Sequence, residues 1–171
     1  RILTDSVADL LLTPSPDGDE NLLAEGVSQD RIHRVGNVMI DSLFTNLQKS
    51  KSSKIHNELG IRSDYAVLTL HRPSNVDDKE NFSEIIGALE KIGEDIQLVF
   101  PIHPRAEKTA KSFGLYERLK AIPNIVLTGP VGYLDFVALM ANSKMALTDS
   151  GGLQEETTAL GIPCITLREN T

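Results

Sequence analysis

The chemistry available to this chain is concentrated in a few short strings. In Thr148-Asp149-Ser150-Gly151-Gly152-Leu153-Gln154-Glu155-Glu156, an apolar run passes through a serine and two glycines straight into a helical pattern. Glycines let a backbone approach a phosphate closely, Ser150 can cap the helix or bond a phosphate oxygen, and the helix dipole favours negative charge at that point. The string reads as a diphosphate cradle; a capped strand-to-helix turn with glycines for tight packing has the same residues. Glu155 and Glu156 are expected in the first helical turn, where the dipole alone favours acids. A carboxylate at Glu156 can also accept hydrogen bonds from the ribose hydroxyls of a nucleotide whose phosphates lie on Gly151 and Gly152, so the pairing suits a nucleotide better than bare phosphate.

Two further strings, Thr69-Leu70-His71-Arg72-Pro73 and Phe100-Pro101-Ile102-His103-Pro104-Arg105, each end an apolar run in His, Pro and Arg. A histidine can donate to a leaving phosphate or shuttle a proton, and an arginine can hold an anion. Either histidine alone suits a turn hydrogen bond; the repetition at successive strand ends favours a site containing His71, Arg72 and His103. Phe136 belongs to the stripe Tyr133, Phe136, Val137 and Met140, whose helical spacing reads as core rather than as a base-stacking platform. His33 and His56 have no partner pattern and are read as structural. No Cys/His cluster has metal-site spacing, so no metal and no cofactor are expected, and the surroundings of Ser150 lack the elbow of a serine hydrolase.

The elements that must position these residues follow from the apolar pattern. Strand-length runs occur at Leu10–Thr13, Arg31–Gly36, Tyr65–His71, Gln97–His103, Ile125–Gly129, Met145–Asp149 and Cys164–Leu167, and helical periodicity fills the gaps, as at Phe82, Ile85, Ile86 and Leu89. Alternating strands and helices predict right-handed crossovers and an α/β fold with a Rossmann-like, doubly wound parallel sheet. In such sheets ligands bind beyond the carboxyl ends of the strands, where helix N-termini converge. Asp77 and Glu80 are spaced as a capping box before the Phe82 helix, and Gly161-Ile162-Pro163 closes the last one. The polar segment from Leu43 to Gly60, with its Lys49-Ser50-Lys51-Ser52-Ser53-Lys54 run, reads as solvated helix or connector. A boundary is placed near residue 40, with 1–40 as the tail of a preceding domain and 41–171 as a nucleotide-binding domain.

The chain has 171 residues, 40% of them hydrophobic, enough for one core and a fragment of a second. Its formal charge of -7, from 17 basic and 24 acidic residues, gives no field for nucleic acid or anionic lipid. An anionic ligand must therefore be met by local donors. Cys164 is the single cysteine and reads as a small core residue. No apolar run approaches the roughly 20 residues needed to span a bilayer, and no signal pattern opens the chain; a cytoplasmic, membrane-free protein is expected. The lack of an initiator Met and the ending Arg168-Glu169-Asn170-Thr171 suggest an excerpt of a longer polypeptide.

These strings together resemble a known family. Gly36-Asn37 followed by Asp41, Thr69-Leu70-His71-Arg72, Pro101-Ile102-His103-Pro104, the Thr148–Glu156 string, Leu160-Gly161-Ile162-Pro163 and Leu167-Arg168 are similar, in the same order, to the bacterial and archaeal UDP-N-acetylglucosamine 2-epimerases of the non-hydrolysing type. The resemblance implies half of a GT-B architecture, in which two Rossmann-like domains face a cleft, and a homodimer at full length. It implies interconversion of UDP-N-acetylglucosamine and UDP-N-acetylmannosamine by elimination and re-addition of UDP, an activity that feeds cell-surface polysaccharide synthesis. Carried over, Ser150, Gly151 and Gly152 hold the diphosphate, Glu156 the ribose, and Phe136 lines the uracil pocket, which reverses its reading as core. His71 assists departure of the diphosphate, and Arg72 and His103 line the cleft, which in some members takes a second, activating substrate molecule.

The family's common His-Arg-Arg-Glu-Asn string is here His71-Arg72-Pro73-Ser74-Asn75, and Val131 replaces a frequent Gln near the uracil. The carboxylates that move the C2 proton, and an arginine beyond Thr171, are expected outside this chain, so the excerpt is expected to be inactive alone. Two alternatives remain open: a hydrolysing relative, and the donor domain of a GT-B glycosyltransferase. A stand-alone UDP-sugar sensor is disfavoured by the missing Met.

Overall fold

The computed structural model of the protein describes residues 1–168. Of the terminal string read as a break in a longer polypeptide, Glu169, Asn170 and Thr171 lie outside the described residues. The chain divides into two compact units, Arg1–Ser42 and Leu43–Thr171.

The first unit holds helix α1 (Ile2–Val7), strand β1 (Leu11–Thr13), helix α2 (Pro16–Ala24) and strand β2 (Ile32–Arg34), with β1 and β2 paired in parallel. Ser15 caps α2 ahead of Pro16, a residue pre-set for the first helical turn. Leu11, Leu22 and Ile32 form its small core. At its edge Arg34 donates to Asp19 from Nε at 2.9 Å and Nη2 at 2.6 Å, and Thr13 donates to the same carboxylate. Thr13 first, and Arg34 after it, hold the Asp19 carboxyl below the usual range. Helix α3 (Val38–Ser50) runs across the boundary into the second unit.

The second unit is built from α4 (Ile55–Glu58), β3 (Tyr65–Thr69), α5 (Pro73–Val76), α6 (Lys79–Asp95), β4 (Gln97–Pro101), α7 (Pro104–Ser112), α8 (Tyr116–Lys120), β5 (Ile125–Thr128), α9 (Tyr133–Ala141), β6 (Met145–Thr148), α10 (Gly151–Leu160) and β7 (Cys164–Thr166). Its strands pair in the order β5-β4-β3-β6-β7, all in parallel. The chain winds outward from β3 to one edge, returns, and winds outward from β6 to the other. The reversal places a topological switch point between β3 and β6, where crossovers leave on opposite faces and a crevice opens at the strand ends.

The three inner strands are apolar on both faces because helices cover both. Ala66, Leu68, Leu98, Phe100 and Leu147 meet Phe82, Ile86 and Leu89 of α6 on one side. Tyr65, Val67, Val99 and Ala146 meet Ile55, Ala138 and Leu139 on the other. Each apolar run forms a strand slightly shorter than its sequence pattern; in β3, β4 and β6 the strand ends before His71, His103 and Asp149, which lie beyond it toward the site. The predicted capping box is displaced by one residue. Asp77 closes the short α5 in a helical conformation, and the extended Asp78 caps α6 by accepting from Asn81 N at 2.8 Å. Asp77 instead pairs with Arg105, which holds its carboxyl low. Gly161 ends α10 at φ 69°, a left-handed conformation that favours glycine. Cys164 is half-buried against the core, and no described helix is long and apolar enough to cross a membrane.

Candidate functional site

The switch point is where the chemistry-bearing strings meet. Pairing of β3 with β6 sets Thr69 opposite Thr148, and their hydroxyls bond at 2.6 Å. One residue beyond the strand, Asp149 is fully buried. Its Oδ2 accepts from the backbone N–H of His71 at 2.9 Å and of Arg72 at 2.8 Å, and from Asn75 Nδ2 at 3.2 Å. Asn75 Nδ2 also donates to Leu167 O at 2.7 Å, and Arg72 Nε donates to Asp149 O at 2.8 Å. One carboxylate and one amide therefore fasten the loops after β3, β6 and β7 together.

Helix α10 starts at this junction. Ser150 is its cap: its Oγ accepts from Leu153 N at 3.4 Å, and its own N–H is held by Thr148 Oγ1 at 3.0 Å. The amides of Gly151 and Gly152 have no carbonyl four residues earlier within the helix and are directed out of its start. A Cβ on Gly151 would stand 3.3 Å from Arg168 Nη1, so a guanidinium lies beside the turn. Arg72 and Arg168 also border an open hollow of about 600 Å³.

Helix α10 begins earlier than the sequence pattern indicates, at Gly151. Glu155 and Glu156 lie in its second turn, not its first, so the helix terminus does not account for them. Glu156 follows Gly152 by four residues, which puts it on the same face about 6 Å further along the axis. It is buried, and burial pushes its carboxyl above the usual range; neighbouring Glu155 adds to the rise, and the Tyr133 hydroxyl opposes it.

His71 and His103 come from neighbouring strand ends and face each other at 6.0 Å between ring centroids. His103 caps α7, its Nδ1 accepting from Arg105 N at 3.2 Å. With Thr69, Ile102, Val131 and Phe136 they line a cavity of about 180 Å³. The apolar stripe of α9 thus splits: Val137 and Met140 are fully buried, Phe136 is partly buried against the cavity, and Tyr133 is exposed toward Glu156. His56, remote from this cluster, bonds the Tyr65 hydroxyl at 2.8 Å, and Tyr65 in turn donates to Leu139 O at 2.6 Å. A purely structural role fits that pair.

A family model for UDP-N-acetylglucosamine 2-epimerase matches residues 1–171. The chain belongs to the UDP-N-acetylglucosamine 2-epimerase family. The UDP-N-acetylglucosamine 2-epimerase of Methanocaldococcus jannaschii is 42% identical over 177 residues, covering all of this chain and 48% of that protein. The crystal structure of the M. jannaschii UDP-GlcNAc 2-epimerase in complex with UDP-GlcNAc and UDP has a TM-score of 0.90 at 41% identity, over all of this chain and 48% of the solved one. The Neisseria meningitidis UDP-GlcNAc 2-epimerase bound to UDP-GlcNAc has a TM-score of 0.83 at 32% identity, over 100% and 47%. The chain therefore spans about half the length of the relatives it matches, and carries a Rossmann-like half of a GT-B architecture.

Within the family frame, the structure brings Ser150, Gly151, Gly152, His71 and Arg72 to one end of the sheet, with Glu156 one turn along α10 and Phe136 and His103 around the adjoining cavity. Sequence reasoning gave no role to three residues. Asp149 stood in the quoted string without a partner, because its donors are 74 to 78 positions away. Asn75 is the last residue of the variant His71–Asn75 string, and its retention was the available signal. Tyr133 read only as part of a stripe.

Proposed function

We propose that this chain is the UDP-binding half of an enzyme that interconverts UDP-N-acetylglucosamine and UDP-N-acetylmannosamine. The observation that carries the reading is the course of α10 away from the switch point: Gly151 and Gly152 at its start, Glu156 one turn on, and His71 beside the start. The spacing suits a diphosphate at the glycine amides and a ribose at Glu156, with Phe136 toward the uracil. Diphosphate charge is met by the helix start and by Arg72 and Arg168 rather than by the chain's overall field, which is negative.

In the proposed reaction the C2 proton is removed and the C1–O bond breaks. UDP leaves with the electron pair, and a C1–C2 double bond remains in an enzyme-bound 2-acetamidoglucal. Return of a proton to the opposite face of C2, with re-addition of UDP at C1, gives the epimer. This chain supplies the groups that hold and release UDP: His71 offers a hydrogen bond to the departing diphosphate, and Arg72 and His103 line the cleft. The acid-base groups at C2 come from the other half of the relatives' length, so this chain alone is inactive. The complete enzyme works in the cytoplasm as a homodimer, and needs no cofactor.

Calorimetric titration of the chain with UDP, UMP and UDP-N-acetylglucosamine tests the reading. UDP should bind at least about tenfold more tightly than UMP, a difference near 1.4 kcal/mol, and the preference should vanish in Gly151→Val with the circular dichroism spectrum unchanged. Equal affinities for UDP and UMP, or an unaffected Gly151→Val variant, would remove the diphosphate from this turn.

A further inference from the structure

Asp149 does more than fasten loops. Its Oδ2 is saturated by three N–H donors, whereas Oδ1, equally buried, accepts no aligned hydrogen bond among the described residues. The group facing Oδ1 is the His71 ring, with Nδ1 at 2.7 Å. A buried carboxylate oxygen without a donor is costly, and the terminal torsion of histidine is soft, so a small turn of the ring brings the Nδ1–H onto Oδ1. His71 also lines the cavity shared with His103 and Phe136, its ring centroid 6.0 Å from that of His103.

We infer that Asp149 is a positioning residue that fixes the proton of His71 on Nδ1 and so leaves Nε2 as the working nitrogen toward the cleft. The inference rests on the proposed role of His71 at the departing diphosphate. With Nδ1–H committed to a fixed carboxylate, a proton that the ring takes from solvent goes to Nε2, and the resulting Nε2–H is the donor offered to the departing diphosphate. Without Asp149 the ring would be free to carry its proton on the wrong nitrogen. The exposure of the two partners fits this division: the Asp149 side chain is 0% exposed and that of His71 44%, so the anchor is shielded while the ring reaches solvent and ligand.

The bonding pattern makes Asp149→Asn a directed probe. Three donors converge on the Oδ2 position, so the amide oxygen of the asparagine must occupy it, and the NH2 must lie against His71 Nδ1. An NH2 there donates, and Nδ1 must accept. The substitution keeps shape and volume and forces the neutral ring into the Nε2–H form.

The test is nitrogen-15 NMR of the His71 imidazole in the ligand-free chain, assigned by its loss in His71→Gln and recorded at about pH 8.5, above the ordinary histidine range. The parent should show the Nδ1–H tautomer and Asp149→Asn the Nε2–H tautomer, with backbone amide shifts elsewhere retained. An Nε2–H ring in the parent overturns the inference without recourse to any variant, as does an Nδ1–H ring that persists in a folded Asp149→Asn chain. UDP is then added to the same parent sample. Shifts at the Gly151 and Gly152 amides report on the diphosphate reading independently, so a failed tautomer result and a misplaced nucleotide are separately visible. In the longer, active protein, Asp149→Asn should lower kcat at least about a hundredfold while KM changes little, with kcat referred to the folded fraction measured by circular dichroism so that unfolded enzyme does not count as slow enzyme.

Discussion

Glu156 combines burial with a charge. Burial raises its carboxyl, so over some range of pH the folded chain retains a proton that the unfolded chain has released. That contribution to stability is complete below the ordinary glutamate range and is lost as pH rises through the folded value. Glu156→Gln cannot ionise and does not suffer the loss. Its denaturation midpoint should therefore lie close to the parent's at about pH 4 and above it at about pH 8. A midpoint difference independent of pH would show that the Glu156 carboxyl is not raised by burial. The carboxylate is expected to be kept despite this cost for its hydrogen bonds to ligand, so the same variant should lose about tenfold in UDP affinity. Stability and binding then move in opposite directions, a sign of a group selected for its site rather than its packing.

At the scale of elements, helix α6 has two glycines that the sequence presents as equals. Gly93 lies against the turn before β5: a Cβ there would meet Pro123 O at 2.4 Å and Ile122 Cγ2 at 3.0 Å. The carbonyl is backbone and cannot step aside, so Gly93→Ala should destabilise the chain by about 1–3 kcal/mol, outweighing the better helix propensity of alanine. At Gly87 a Cβ would meet only Arg118 Nη2, at 3.3 Å, the end of a long side chain held by Glu90 and Ser83 on the surface. Gly87→Ala should raise stability by up to about 1 kcal/mol. Chemical denaturation of the two variants side by side reads the difference, and equal effects would mean that α6 is not seated on the Ile122–Pro123 turn as described.

At the scale of the whole molecule, the chain brings Ser150, Gly151, Gly152 and Arg72 to one end of a sheet, where the proposed anionic ligand would be met by local donors. If the remaining half of the relatives' length supplies the sugar contacts, a longer protein containing both halves should gain more affinity for UDP-N-acetylglucosamine than for UDP, by at least about tenfold when both are titrated into the two proteins. An equal gain for the two ligands would mean that the second half closes on the nucleotide and not on the sugar. The proposed division of labour is consistent with the small cavity of about 180 Å³ beside His71 and His103, too little to bury a whole nucleotide sugar.

The sequence by itself determined the alternation of strands and helices, the strand-to-helix turn at Ser150-Gly151-Gly152, the left-handed stop at Gly161 and the family, because each is written in neighbouring residues through periodicity, caps and turn chemistry. It did not distinguish Asp77 from Asp78 as a cap, since both are acids at a helix entrance and only the end of α5 decides which is extended. Nor did it place Glu156 beyond the first turn, since the helix start depends on where the β6 ladder ends. The union of His71 with Asp149 belongs wholly to the tertiary structure. Residues 78 positions apart meet because β3 and β6 are adjacent at the switch point of the sheet, and strand order is fixed by the packing of helices on both its faces rather than by any local signal.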